Sequence, residues 1–128
     1  MTGARVLVVE DNERNLELVR AVLEHAGFEV RGAGTAEEAI TDAVANPPDL
    51  VLMDLQLPGG DGVAGLEWLR ANPVTEAIPV VALTALAMPE DKERVRRAGF
   101  DGYLEKPISV RDLPHQVRGA ITRGRPAP

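Results

Sequence analysis

Five short, mostly aliphatic runs alternate with five amphipathic segments along this chain, and that alternation restricts the fold more than any other feature. The runs are RVLVVE at 5–10, FEVRGA at 28–33, LVLMD at 50–54, VVALT at 80–84 and GYLEK at 102–106. The first, third and fourth are apolar almost to their last residue, as strands covered on both faces are. The second alternates apolar with polar, as a half-exposed edge strand does.

The intervening segments have helical spacing. Leu16, Val19, Leu23 and Ala26 recur across 12–26. Thr35 and Glu38 form a capping-box pattern ahead of Ala36, Ala39, Ile40, Ala43 and Val44, which predicts a helix over 35–46. A third helix carries Leu66 and Leu69 and opens at Asp61. The fourth, 89–98, starts at Pro89, and its Glu90/Arg94 and Glu93/Arg97 are spaced as i,i+4 ion pairs. Being mostly charged, it should bury little and be weakly held. The fifth begins at the capping-box pair Ser109 and Asp112 and packs through Leu113, Val117, Ala120 and Ile121, with Pro114 and Gly119 as interruptions. Residues 122–128, TRGRPAP, read as an unfolded tail after a domain at 1–121. Strand and helix in strict alternation predict a doubly wound α/β fold with a parallel sheet. Such sheets bind ligands outside the carboxyl ends of their strands.

Bulk properties narrow the ligand class. A chain of 128 residues suits one domain, and 45% hydrophobic with 27% charged residues is the balance of an ordinary globular protein. A net charge of -6 argues against nucleic acid, whose phosphates call for clustered Lys and Arg. The chain has no Cys, which removes disulfides and thiolate metal sites. It shows no signal-peptide pattern and no apolar run long enough to span a bilayer, so it reads as cytoplasmic and without membrane contact; a monomer is expected.

The strand ends carry the chemistry. Glu10 and Asp11 close the first run, Asp54 the third, Thr84 the fourth and Lys106 the fifth. A charge at the end of a buried strand is costly unless it meets solvent or a partner. Three carboxylates brought together would repel, and Mg²⁺, a hard cation content with a few carboxylates and several waters, relieves that repulsion. Lys106 and the Thr84 hydroxyl could then receive phosphoryl oxygens, an outline of a phosphoryl-transfer site. Each residue taken singly has a plainer reading: Asp11 or Asn12 as a helix cap, Asp61-Gly62 as a turn and cap, Thr84 as a strand-end hydroxyl, Lys106 as a solvated surface lysine. Independent capping and solvation do not explain acid, acid, hydroxyl and ammonium at successive strand ends.

The segments VLVVEDNERN, DLVLMDLQLPGGDG, IPVVALTA and GYLEKPI, in this order, resemble the motifs of bacterial two-component response-regulator receiver domains over about residues 4–121. In look they are nearest to stand-alone receivers of the cell-division-control type. The resemblance implies a flavodoxin-like sheet in the order 2-1-3-4-5. It makes Asp54 the phosphoacceptor, Asp11, Asp54 and the backbone carbonyl of Gln56 direct Mg²⁺ ligands, and Glu10 a ligand through water. It makes Thr84 and Lys106 the phosphoryl-binding pair, Tyr103 the aromatic switch residue, and Lys106-Pro107 a cis peptide. The implied partners are a sensor histidine kinase or histidine phosphotransfer protein, and a downstream protein that meets the face of helix 4, strand 5 and helix 5. Glu10 stands where the family more often has Asp.

A receiver cut from a hybrid sensor kinase would read almost identically. An aspartyl-phosphate phosphatase of the haloacid-dehalogenase type also uses a strand-end Asp with Mg²⁺, but needs an acid two residues later, where this chain has Gln56. A flavodoxin-like nucleotide carrier would need a phosphate loop after the first strand, where two acids stand. Gln56 and Leu86, two residues beyond Asp54 and Thr84, are expected to govern water access to a phosphorylated Asp54, with Leu86 excluding water and slowing autodephosphorylation.

Overall fold

A computed structural model of the chain describes residues 3–56, 62–85 and 89–124. Strands β1 (Arg5–Val9), β2 (Glu29–Ala33), β3 (Leu50–Asp54), β4 (Val80–Thr84) and β5 (Gly102–Glu105) alternate with helices α1 (Glu13–His25), α2 (Ala36–Ala45), α3 (Gly62–Ala71), α4 (Pro89–Ala98) and α5 (Leu113–Arg123). The strands are all parallel, in the order β2-β1-β3-β4-β5. The apolar runs β1, β3 and β4 occupy the interior, and the alternating run β2 lies at an edge, as their patterns require.

Because side chains alternate across a strand, each interior strand feeds two cores. Leu7, Val9, Val51, Met53, Val80 and Ala82 pack with Ala39, Ala43, Leu66, Leu69 and Val95 from α2, α3 and α4. Val6, Val8, Leu50, Leu52, Val81 and Leu83 pack with Val19, Leu23, Leu113, Val117 and Ala120 from α1 and α5. Glu10 continues the Val6 and Val8 row and Asp54 the Leu50 and Leu52 row. Adjacent strands in matched register thus deliver two acids to the same side of the sheet at its carboxyl end.

The opposite end of the sheet is tied by Arg70 of α3. Its guanidinium donates to the Ile78 carbonyl at 2.7 Å and pairs with Asp101 at 2.5 Å, and Asp101 also accepts the Val80 N–H at 2.8 Å. One largely buried ion pair therefore joins α3, the start of β4 and the turn before β5.

Several local expectations are corrected. On α4 the ion pairs are Asp91–Arg94 at 2.6 Å and Glu93–Arg96 at 3.8 Å, both i,i+3, in place of the i,i+4 pairs Glu90/Arg94 and Glu93/Arg97. Residues three apart are also neighbours on a helix, and Arg94 takes the nearer Asp91. The Ser109 hydroxyl accepts the Asp112 N–H at 3.2 Å, but it caps a turn at 110–112, and α5 itself starts at Leu113 with no side-chain bond from Asp112. Pro114 is therefore in the first turn, where its missing N–H costs no intrahelical bond, and does not interrupt the helix. The helix runs through Arg123, so Thr122 and Arg123 are helical, whereas the tail reading began at 122. Asp61, expected to open α3, lies outside the described residues, as do residues 125–128. Among the described residues no helix is long and apolar enough to cross a membrane.

Candidate phosphoacceptor site

The site is assembled by strand ends. The Glu10 N–H donates to the Ala33 carbonyl at 2.9 Å and extends the β1–β2 ladder by one residue, while the Lys106 N–H donates to the Thr84 carbonyl at 3.0 Å beyond β5. These two bonds fix the backbone from which both side chains reach the site. Asn12, with its side chain accepting from the Asn15 N–H at 3.0 Å, is the cap of α1, so the capping role falls to it and not to Asp11. Asp11 is exposed, whereas Glu10 and Asp54 are 3% exposed each.

The three carboxylates offer ligand oxygens that all lie within 4.8 Å of one another. Lys106 reaches in between: its Nζ is 2.9 Å from Asp54 Oδ2 and 3.3 Å from Glu10 Oε2. The other Asp54 oxygen, Oδ1, accepts the Gln56 N–H at 3.0 Å. Glu10 Oε1 accepts from the Asn12 N–H and from the Asn15 amide, each at 3.3 Å.

The electrostatics follow from this crowding. Burial pushes the Glu10 carboxyl above its usual range, and the bond to Asp54 and its charge push the same way, against the lowering influence of Asn15 and Lys106. Burial draws the Lys106 ammonium down, but Asp54 and Glu10 together override it and leave Lys106 above its ordinary value. A single ammonium thus does not offset the charge on the acids around it. Oxygen-only donors with excess negative charge fit a hard divalent cation, and the donor set suits Mg²⁺.

Thr84, at the end of β4, is half-buried and lines a cleft with Gln56, Ala85, Val95 and Phe100. Tyr103, in the middle of β5, is half-buried too, with Lys92 of α4 5.8 Å from its ring centre. Lys92 also pairs with Glu105 at 3.7 Å, although both of these side chains are well exposed. The Lys106-Pro107 peptide is cis, as the resemblance implies. Leu86 lies outside the described residues. The strand-end pattern of the sequence does not single out Asn15, which the fold brings to Glu10. The signal that could have found it is its place as the third residue of α1, one turn above the acid pair.

Residues 6–118 match the family model described as the response regulator receiver domain. The chain belongs to the response-regulator receiver family of two-component systems. It is 44% identical over 105 residues to the polar-differentiation response regulator DivK of Brucella ovis, a match covering 82% of this chain and 85% of that protein. Its backbone is similar to a putative response regulator from Chloroflexus aurantiacus, with a TM-score of 0.89 and 34% identity over 95% of this chain and all of that one (100%). It is also similar to the receiver domain of a sensor histidine kinase from Pseudomonas aeruginosa, with a TM-score of 0.86 and 32% identity over 94% and 99% of the two chains. That protein's structure holds a magnesium ion coordinated in its active-site cleft. The doubly wound fold and its 2-1-3-4-5 order are those of the family.

Proposed function

We propose that this receiver takes a phosphoryl group from a phosphohistidine onto Asp54 and signals by the conformational change that follows. The observation that carries this reading is the convergence of Asp54, Glu10, Asp11 and Lys106 at the carboxyl end of a parallel sheet. In the transfer, a carboxylate oxygen of Asp54 forms a bond to phosphorus while the P–N bond of the phosphohistidine breaks, and the departing imidazole nitrogen keeps the electron pair. Gln56 N–H holds Oδ1 and fixes the carboxylate plane, so the nucleophile is oriented before the donor arrives. Lys106, already on Asp54, transfers its contact to the phosphoryl oxygens as their charge develops. The Thr84 hydroxyl donates to another of those oxygens.

Asp11, Asp54 and the Gln56 carbonyl would hold Mg²⁺, with Glu10 acting through a bound water. The ion, when present, supplies positive charge for the carboxylates and the phosphoryl oxygens alike. Movement of Thr84 toward the phosphoryl group and rotation of Tyr103 would then alter the face made by α4, β5 and α5, where a downstream protein binds. Gln56 can orient a water toward the phosphoryl group whereas Leu86 offers no hydrogen bond to one, and in this reading exclusion prevails and autodephosphorylation is slow.

The donor would be a sensor histidine kinase or a histidine phosphotransfer protein, and the setting the cytoplasm. Because the relatives include a receiver of a sensor kinase, a phosphorelay position within a hybrid kinase is a second reading. Incubation with acetyl phosphate, followed by intact-protein mass spectrometry, tests the central step. One added phosphoryl mass that requires Mg²⁺ supports it, and no gain with Mg²⁺ present contradicts it.

A further inference from the structure

Glu10 is one methylene longer than the aspartate it replaces in the family pattern, so its carboxylate has a further torsion to settle before it can serve a metal. The structure supplies what settles it. Oε1 is held by two donors from the first turn of α1, the Asn12 N–H and the Asn15 side-chain amide, at 3.3 Å each, while Oε2 lies 3.3 Å from Lys106 Nζ on the Asp54 side.

The local geometry explains why Asn15 is available. In an ordinary capping box, the residue three beyond the cap turns its side chain back to accept the cap residue's N–H. Here Asn15 is that residue: its backbone N–H is accepted by Asn12 Oδ1. The Asn12 N–H goes instead to Glu10, which stands in as the acceptor of the box. The Asn15 side chain is left to donate to the same Glu10 oxygen. Helix cap and acid pair are thereby one hydrogen-bonded unit.

We propose that Asn15 is a positioning residue for Mg²⁺ uptake, holding the longer Glu10 side chain so that one carboxylate oxygen faces the metal ligands Asp11 and Asp54. The inference rests on the metal reading given above and names a residue and a bond that reading does not need. Donors that orient a metal-binding side chain are worth about tenfold or more in metal affinity.

A double-mutant cycle on the full chain, read by calorimetric titration with Mg²⁺ alone, tests this. Asn15→Leu removes the donor and keeps a strong helix former. Asn15→Ala removes it without adding bulk, and thermal unfolding checks that both variants fold. Each should weaken Mg²⁺ binding by about tenfold in the natural background. In the Glu10→Asp background, whose shorter carboxylate no longer reaches the amide, the same substitutions should cost less than about twofold. Equal losses in the two backgrounds would mean a general effect on α1 and would overturn the proposal, as would no loss in the natural one. A natural chain that takes up no Mg²⁺ would overturn the metal reading itself, and this inference with it.

Discussion

Lys106 Nζ lies 2.9 Å from Asp54 Oδ2, although the two residues are 52 positions apart, one at the end of β3 and the other just beyond β5, with β4 between those strands in the sheet. The same ammonium is 3.3 Å from Glu10, so it serves as the positive charge between two buried acids. Removing it should leave those acids facing each other. Lys106→Met is expected to lower metal-free stability at neutral pH by roughly 1–3 kcal/mol, the cost of stranding a buried acceptor. Saturating Mg²⁺ should recover most of that loss. Chemical unfolding with and without Mg²⁺ checks both, and a variant as stable as the natural chain without metal would contradict the role.

The raised Glu10 carboxyl fixes a pH dependence. The folded state holds this proton more tightly than the unfolded chain, whose ordinary value is 4.5, so the group's contribution to stability is complete below that pH. It is lost as pH rises through the higher folded value. Lys106 is also raised, from 10.5, so its contribution stays complete below that value and does not interfere at neutral pH. Without metal, Glu10→Gln should therefore gain in melting temperature relative to the natural chain as pH rises above 4.5. A relative melting temperature that is flat or falls over that range would show that burial and Asp54 do not dominate at Glu10.

Gly62 opens α3 against the backbone at the end of β3. A Cβ built there would sit 2.6 Å from the Asp54 carbonyl oxygen and 3.1 Å from Leu55 Cα, both backbone atoms that cannot rotate away. Gly62→Ala is expected to cost about 1–3 kcal/mol through backbone displacement and to slow phosphorylation along with it. Denaturant midpoints and acetyl-phosphate labelling rates would reveal this, and a neutral substitution would contradict the close approach.

At the far end of the sheet, Asp101→Ala should be costly for stability alone. It leaves the Arg70 guanidinium without its carboxylate and the Val80 N–H without its acceptor. Breaking a largely buried pair of this kind costs roughly 3 kcal/mol. Below its melting transition the variant should still bind Mg²⁺ with the natural affinity, and a large affinity loss in folded protein would show coupling across the sheet.

The sheet, the helices and the rim of acids and lysine are legible in the sequence because each follows from a period or from a strand end. Val6, Val8 and Glu10 share one parity, and so do Leu50, Leu52 and Asp54, so the meeting of the two acids follows once the strands pair in register. What is not legible is the choice among side-chain partners. Arg94 has acids three and four residues away and takes Asp91, and Arg70 finds Asp101 31 residues later, past β4 and α4. Pro114 looks like a helix breaker until the turn at 110–112 sets where α5 begins. The spacing of Asn15 from the acid pair puts it near Glu10, but which partner its amide takes depends on the first turn of α1 folding over the end of β1.

The central claim is that the phosphoryl group resides on Asp54. Borohydride reduction of the chain after treatment with acetyl phosphate and Mg²⁺ converts an aspartyl phosphate to homoserine, which peptide mass spectrometry can place at a single position. The account predicts homoserine at position 54 in the natural chain and none anywhere in Asp54→Asn. Homoserine at Asp11 in the natural chain, or undiminished phosphoryl gain in Asp54→Asn, would contradict it.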